Sequence, residues 1–329
     1  MTSETGTVTL AALQSGLESR LEAVRARIGS LVAADFDLID TVNAHLLQMQ
    51  GKMFRPTMLL LVDEAAGTRD PRSVDLAAVV ELIHLATLVH DDSVDHSVLR
   101  RGMPTINSLF SHQVSVIMGD YLYSRAVIEL VHLADLEPLR VLARVTNEMT
   151  VGEMRQLLAH DRLRYTDEEY TLLIRSKTAS LLSGAAECGA LTAAPEIRQA
   201  MARFGDALGM AFQIVDDLLD FTQPESVTGK PSGLDLREHK VTLPLIAALP
   251  QMTAAQRASV DDLMATPSPS DDQIAAVVAG VTEAGGLVVA RERAQHYAER
   301  AEEELALLPA SPARETLRAS LTYVLDRRR

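Results

Sequence analysis

Apolar residues recur three and four positions apart through most of the chain. "LAALQSGLESRLEAVRARIGSLV", from Leu10, sets charges between them, the pattern of an amphipathic helix. "DLAAVVELIHLATLVHDD", from Asp75, is more apolar all round, as a buried helix would be. The same period runs through "VSVIMGDYLYSRAVIELVHLA", "LRVLARVTNEMTVGEMRQLLAHD", "RFGDALGMAFQIVDDLLDF" and "LVVARERAQHYAERAEEELALL". Sustained alternation of β-branched residues is missing, so strands are not expected. Breakers at "GTRDPRS", "LEPLR", "TQPESVTGKPSG" and "TPSPSDD" read as loops, none long enough for an interdomain linker. The pattern predicts an all-α protein: a single large helical bundle, one domain over residues 1–329.

Composition narrows the function. The 329 residues are 47% hydrophobic and carry a formal net charge of -14, so a phosphate backbone would be repelled and nucleic acid is excluded as a partner. Anionic small molecules remain compatible where local cations reverse the field. Cys188 is the only cysteine, which rules out an intrachain disulfide or thiolate cluster and fits a cytoplasmic location. The N-terminus lacks a basic start followed by an apolar core, and no run of about 18 apolar residues predicts a transmembrane span.

Two acidic clusters stand out against this background. "HDDSVDHSVLRRG" carries Asp91, Asp92 and Asp95, and "FQIVDDLLDF" carries Asp216, Asp217 and Asp220. On a helix, residues four apart share a face, so Asp91 and Asp95 align with Asp92 beside them. Both clusters end apolar runs, where carboxylates need a partner. All-oxygen donors suit magnesium, with manganese a substitute. Two or three divalent ions would neutralise six carboxylates on facing helices and stabilise a doubly charged leaving group. The pairs Asp261–Asp262 and Asp271–Asp272 lie in polar surroundings and read as surface charge or helix starts.

Basic residues gather nearby in sequence. Arg100 and Arg101 follow Asp95 by one to two helical turns, placed to clamp a phosphate group. "GKMFRP" supplies Lys52 and Arg55, "RSKTASLL" supplies Lys177 and Thr178, and "TGKPSGLDLREHK" supplies Lys230 and Lys240. Singly, each reads as a surface charge; together they suggest room for two diphosphates. His84, seven residues before Asp91, shares its face, whereas His90 is turned away and is expected to pack or hydrogen-bond.

These motifs, with "GEMRQ" and "GKPSGLDLREHKVTLPL", follow one another over roughly residues 40 to 250 as they do in the trans-isoprenyl diphosphate synthases, which the chain resembles. The resemblance implies the isoprenoid synthase fold, all-α around a deep central cavity, and a homodimer. It implies that an allylic diphosphate ionises, that the double bond of isopentenyl diphosphate attacks the carbocation, and that a proton is then lost. It implies three magnesium ions held by Asp91, Asp92, Asp95, Asp216, Asp217 and Asp220. Of these, Asp91, Asp92, Asp95, Asp216 and Asp217 are expected to be catalytic, together with Lys177. Lys52, Arg55, His84 and Arg101 match isopentenyl diphosphate contacts. Arg100, Lys177, Thr178, Gln213, Lys230 and Lys240 match allylic diphosphate contacts. The chain departs from the family at Gln50, Met53, Met103 and His239, which thins the positive charge near the isopentenyl site.

Product length is expected to depend on Ala86 and Thr87, one turn upstream of Asp91, where the family stops short chains with a bulky aromatic. Both are small, which favours a long product of about thirty to fifty carbons, each buried methylene contributing roughly 0.8 kcal/mol. Ile83, Val116 or Met118 would close the tunnel sooner. The alternative is a farnesyl or geranylgeranyl diphosphate synthase. A terpene cyclase would not usually carry the lysine–arginine pair or a second complete motif. A non-catalytic partner subunit tends to lose a motif. A loose membrane contact during product release is compatible with this reading.

Overall fold

A computed structural model describes residues 8–49, 51–158, 165–222 and 233–327. Its elements run, in order, α1 (Leu10–Gln14), α2 (Glu18–Val32), α3 (Asp37–Gln48), α4 (Phe54–Ala65), α5 (Ser73–Val94), β1 (Leu99–Arg100), β2 (Met103–Pro104), α6 (Ile106–Leu109), α7 (His112–His132) and α8 (Leu136–Leu158). Then come α9 (Asp167–Ile174), a π-helical turn (Arg175–Ala179), α10 (Ser180–Gly189), α11 (Pro195–Thr222), α12 (Leu234–Arg237) and α13 (Leu243–Ala248). The rest are α14 (Ala254–Ala265), α15 (Asp271–Glu283), α16 (Gly286–Glu304) and α17 (Pro312–Leu325). The architecture is all-α, as the periodicity requires.

The helices form two compact units, the first within Met1–Asn147, Leu181–Gly205 and Glu304–Ser320, the second within Glu148–Ser180, Asp206–Glu303 and Leu321–Arg329. In the first, α5 is the central helix. Leu76 through Leu82 are fully buried or nearly so, which explains why its sequence shows no polar stripe. It is long and apolar enough to cross a membrane, but 67% of its apolar window is buried inside the protein. Leu21, Val24, Ile28 and Leu31 of α2 face the core at helical spacing. Arg20 pins α2 to α4 through Asp63 at 2.6 Å, and Arg27 pairs with Asp75 and the buried Glu129. Helices α5 and α7 approach closely where Gly119 leaves room for the His90 ring, whose Nε2 donates to the Val116 carbonyl at 3.1 Å.

In the second unit, Phe221, Leu236, Val241, Leu245, Val260, Leu263, Ile274 and Val277 make one apolar cluster that ties α12–α15 to the end of α11. Thr253 and Ser270 close capping boxes with Gln256 and Gln273, so the pair Asp271–Asp272 opens α15 as a helix start and lies exposed. Asp261 and Asp262 are exposed on α14.

Three expectations shift. "LEPLR" is no break: Pro138 sits in the first turn of α8, where a missing N–H costs nothing, and the chain turns before it at 133–135. Strands do occur, as a two-residue ladder pairing Leu99 with Pro104 and Arg100 with Met103. Arg100 and Arg101 therefore do not continue the helix beyond Asp95. His96 takes a left-handed conformation (φ 51°) that ends α5, and Arg101 and Gly102 (φ 54° and 77°) form the hairpin turn. Positive φ at both central positions is what a type I′ turn demands.

Candidate active site

In the first unit the sequence places Asp91 and Asp92 in the last turn of α5 and Asp95 at its cap, where its N–H donates to the Asp91 carbonyl at 2.8 Å. Asp92 is the buried member; Asp95 is exposed and Asp91 is partly so. The hairpin turns Arg100 back onto Asp92. Its Nε lies 2.9 Å from both carboxylate oxygens and its Nη2 2.7 Å from Oδ1. This guanidinium is a cation held where the sequence expected a metal ion.

Arg101 points elsewhere from the hairpin tip. Its Nη1 donates to the Met49 carbonyl at 2.7 Å, and its guanidinium lies against Gly51, where a Cβ would come within 3.0 Å of both terminal nitrogens. That close approach gives the glycine of "GKMFRP" a physical reason. Gln14 of α1 donates to the Lys52 carbonyl at 2.8 Å and to Thr57 at 3.1 Å, bracing the same loop. Met53, one of the departures, is buried at the N-cap of α4 with φ 56°. His45 fixes the other side of the hairpin through the Pro104 carbonyl at 2.7 Å.

Electrostatics draw Arg55, Arg101, His84 and the buried Glu81 into one neighbourhood. Burial and the charges of Arg55, Arg101 and Arg100 push His84 well below the usual imidazole range, so its ring is neutral. Burial pushes Glu81 up, against the pull of Arg55 and Arg101. Burial and Arg100 likewise pull Arg101 below its ordinary value. Partly desolvated guanidinium groups fixed before a ligand arrives attract an anion without reorganisation. Beside them a small pocket opens under Asp92, Arg100 and Arg101, lined by Leu46, Leu85 and Val89. Ala86 is buried on an adjacent face of α5, and the Thr87 hydroxyl donates to the His84 carbonyl at 2.8 Å.

In the second unit Asp216, Asp217 and Asp220 lie in the last two turns of α11. Each has a different partner. Asp216 pairs with Arg327, beyond α17, whose guanidinium also stacks 4.0 Å over Phe212. Asp217 is buried; its Oδ1 accepts from Gln213 at 2.9 Å and its Oδ2 from the Tyr170 hydroxyl at 2.5 Å. Burial and nearby Asp235 push Asp217 well above the usual carboxylate range. Asp220 accepts from the backbone N–H groups of Leu234 and Asp235, both at 3.0 Å, and so caps α12. Asp235 is pushed up to about 7 by burial and by Asp220.

Lys177 and Thr178 lie in the π-helical turn rather than at an ordinary helix start. Such turns are common at functional sites. The wide turn fits because Gly152 and Gly209 face it: a Cβ would meet Ser176 at 2.7 Å or Ala179 at 2.5 Å. Lys177 pairs with Glu153 at 2.6 Å and donates to Gln156 at 3.3 Å, which gives the "GEMRQ" stretch its role. Thr178 donates to Gln213 at 2.8 Å. Lys240 pairs with Glu238 at 2.6 Å. His239 has φ 55°, which accounts for the glycine usual there in the family the chain resembles. Lys230 and Gln50 lie outside the described residues.

Among the described residues no three His, Cys, Asp or Glu side chains are gathered into a ready metal site. The donor set still fits magnesium, which binds one or two carboxylates and takes its remaining oxygens from water and substrate phosphates. Arg100 on Asp92 and Arg327 on Asp216 act as stand-in cations at those carboxylates. Glu81, Tyr170, Asp235 and Arg327 were given no role from sequence. Asp235 lay within a quoted motif, but a lone buried tyrosine or glutamate reads first as packing, and "LDRRR" carries no pattern.

A helical protein with two aspartate-rich helix ends, the first paired with an arginine and the second served by an arginine, a glutamine and backbone N–H groups, is an isoprenoid-synthase-type prenyltransferase. Residues 36–281 match the family model for polyprenyl synthetase, and the chain belongs to that family. It is 39% identical, over 90% of its length and 91% of the relative's, to an all-trans-nonaprenyl-diphosphate synthase (geranyl-diphosphate specific) of Rhodobacter capsulatus. A crystal structure of a decaprenyl diphosphate synthase from Rhodobacter capsulatus superposes with a TM-score of 0.91 at 37% identity, covering 98% of this chain and 100% of that one. A polyprenyl synthase from Caulobacter crescentus, complexed with calcium and isoprenyl diphosphate, superposes with a TM-score of 0.92 at 31% identity, covering 98% and 99%.

Proposed function

We propose that the chain, working over 1–329 as one prenyltransferase domain, is a magnesium-dependent all-trans polyprenyl diphosphate synthase with a long product. In this reading two to three ions serve the aspartates, and manganese substitutes. The metal, when bound, supplies positive charge to the departing diphosphate. The chain's own residues do the rest. Lys177, Thr178, Gln213, Lys230, Lys240 and Arg100 hold the allylic diphosphate, so that the C–O bond breaks with the diphosphate as leaving group. Lys52, Arg55 and Arg101 hold isopentenyl diphosphate beside the neutral His84, and its double bond closes on the allylic carbon before a proton leaves.

What supports this most is the Arg100–Asp92 contact together with Arg101 at the tip of the same hairpin. One two-residue ladder delivers one guanidinium to the metal-type carboxylate and another to the buried arginine–histidine neighbourhood. Small Ala86 and the similarity to nonaprenyl and decaprenyl diphosphate synthases favour a long product over a farnesyl or geranylgeranyl one. Exposed Ile117, Ile128 and Val131 on α7 support a homodimer. The enzyme is proposed to work in the cytoplasm, touching a membrane loosely as product leaves.

The test is incubation with magnesium, isopentenyl diphosphate and farnesyl diphosphate, followed by product sizing. Elongation to about thirty to fifty carbons is expected, a tail long enough to bury many methylenes. No elongation would refute the enzyme reading. A product stopping at the geranylgeranyl stage would refute the long-chain one.

A further inference from the structure

The second aspartate motif contains a hydrogen-bond chain, buried at its Tyr170–Asp217 end, that its aspartates alone do not explain. Thr178 donates to Gln213, Gln213 donates to Oδ1 of Asp217, and Tyr170 donates to Oδ2 of the same carboxylate. Tyr170 is 2% exposed. A phenylalanine would fill the same space, so packing does not account for the hydroxyl. A hydroxyl in such a place costs free energy unless partnered. Its partner is a carboxylate already matched to metal binding.

Tyr170 is also held rigidly. Thr166 and Glu169 close a capping box around the first turn of α9, and the Tyr170 N–H donates to the Thr166 carbonyl at 3.0 Å. Asp167, the first residue of α9, takes two hydrogen bonds from Arg293 of α16, at 3.0 and 3.3 Å. An unrestrained aspartate carboxylate turns broadly about its terminal torsion. With one donor on each oxygen that rotation is blocked, and each oxygen keeps a lone pair.

We propose that Tyr170 is a positioning residue: its hydroxyl, opposite Gln213, locks the Asp217 carboxylate in the orientation in which it serves a divalent cation. The inference rests on the proposed function, since Asp217 needs a fixed orientation only if it works on a metal–diphosphate pair. Partners of metal ligands of this kind are worth about ten- to hundredfold in metal affinity.

The experiment titrates the full chain with Mn2+ in the presence of inorganic pyrophosphate, read by electron paramagnetic resonance. Tyr170→Phe is expected to weaken Mn2+ binding about tenfold while isopentenyl diphosphate affinity, measured separately, stays as in the wild type. In elongation assays, added metal is expected to recover the lost rate. In an Asp217→Asn background, Tyr170→Phe is expected to cause no further loss, because the hydroxyl acts through that carboxylate. 4-Aminophenylalanine at position 170, which keeps a donor at the end of the ring, is expected to retain affinity and takes the place of the phenylalanine variant if that one does not fold. Wild-type Mn2+ affinity in Tyr170→Phe, or losses that add in the double variant, would overturn the inference. A wild-type chain that neither binds Mn2+ with pyrophosphate nor elongates would overturn the proposed function instead.

Discussion

Arg327 and Asp216 form an ion pair across 111 residues of sequence, with the guanidinium stacked on Phe212 one helical turn before the aspartate. The Arg327 side chain is only 10% exposed. An aromatic face and a carboxylate on one side of α11 thus hold a cation at the second motif. Arg327→Ala should remove a competitor for Asp216. Its stability should fall by about 1 kcal/mol, read as a lower melting temperature. Its affinity for Mn2+, titrated without diphosphate, should rise severalfold. Unchanged or weaker binding would show that the arginine does not compete.

Arg100 does the corresponding work on Asp92, which is the more buried carboxylate of its pair. Removing one partner of such a pair leaves a charge stranded. Arg100→Ala is expected to cost about 2 kcal/mol in denaturant melts, less than a fully buried pair would lose. Asp92→Ala should cost several orders of magnitude in elongation rate at saturating magnesium.

Gly51 leaves room for the Arg101 guanidinium. Gly51→Ala must displace it by some tenths of an ångström. The KM for isopentenyl diphosphate should rise severalfold with little change in kcat. An equal fall in kcat would place the defect in chemistry rather than binding.

Ala86 is buried beside the first motif. Ala86→Phe should shorten the product, at a stability cost of about 1–3 kcal/mol from overpacking. Product sizing checks it; an unchanged length would show that the growing tail follows another face of α5.

His84 is neutral in the folded chain because burial and three arginines oppose its protonation. Its folded value lies below the ordinary 6.5, so the unfolded chain takes up a proton first as pH falls. Stability is therefore intact above 6.5 and is lost below it. His84→Gln should flatten the acid side of a melting-temperature profile. A profile as steep as the wild type's would assign the acid loss to other groups.

The helices, their order and both aspartate clusters were legible from spacing alone, because a 3.6-residue period and a repeated acidic triplet are local properties. So was the buried nature of α5, whose sequence is apolar on every face. The partners of the carboxylates were not. Arg100 reaches Asp92 only because His96 ends the helix and Arg101–Gly102 turn the chain back, a reversal that two arginines after an acidic helix do not announce. Tyr170 reaches Asp217 from 47 residues away, and Arg327 reaches Asp216 from the far end of the chain. Sequence by itself determined which groups could carry charge and on which helix. The tertiary structure decided which lone pairs those charges meet, because burial and hydrogen-bond pairing depend on chain segments that are distant in sequence.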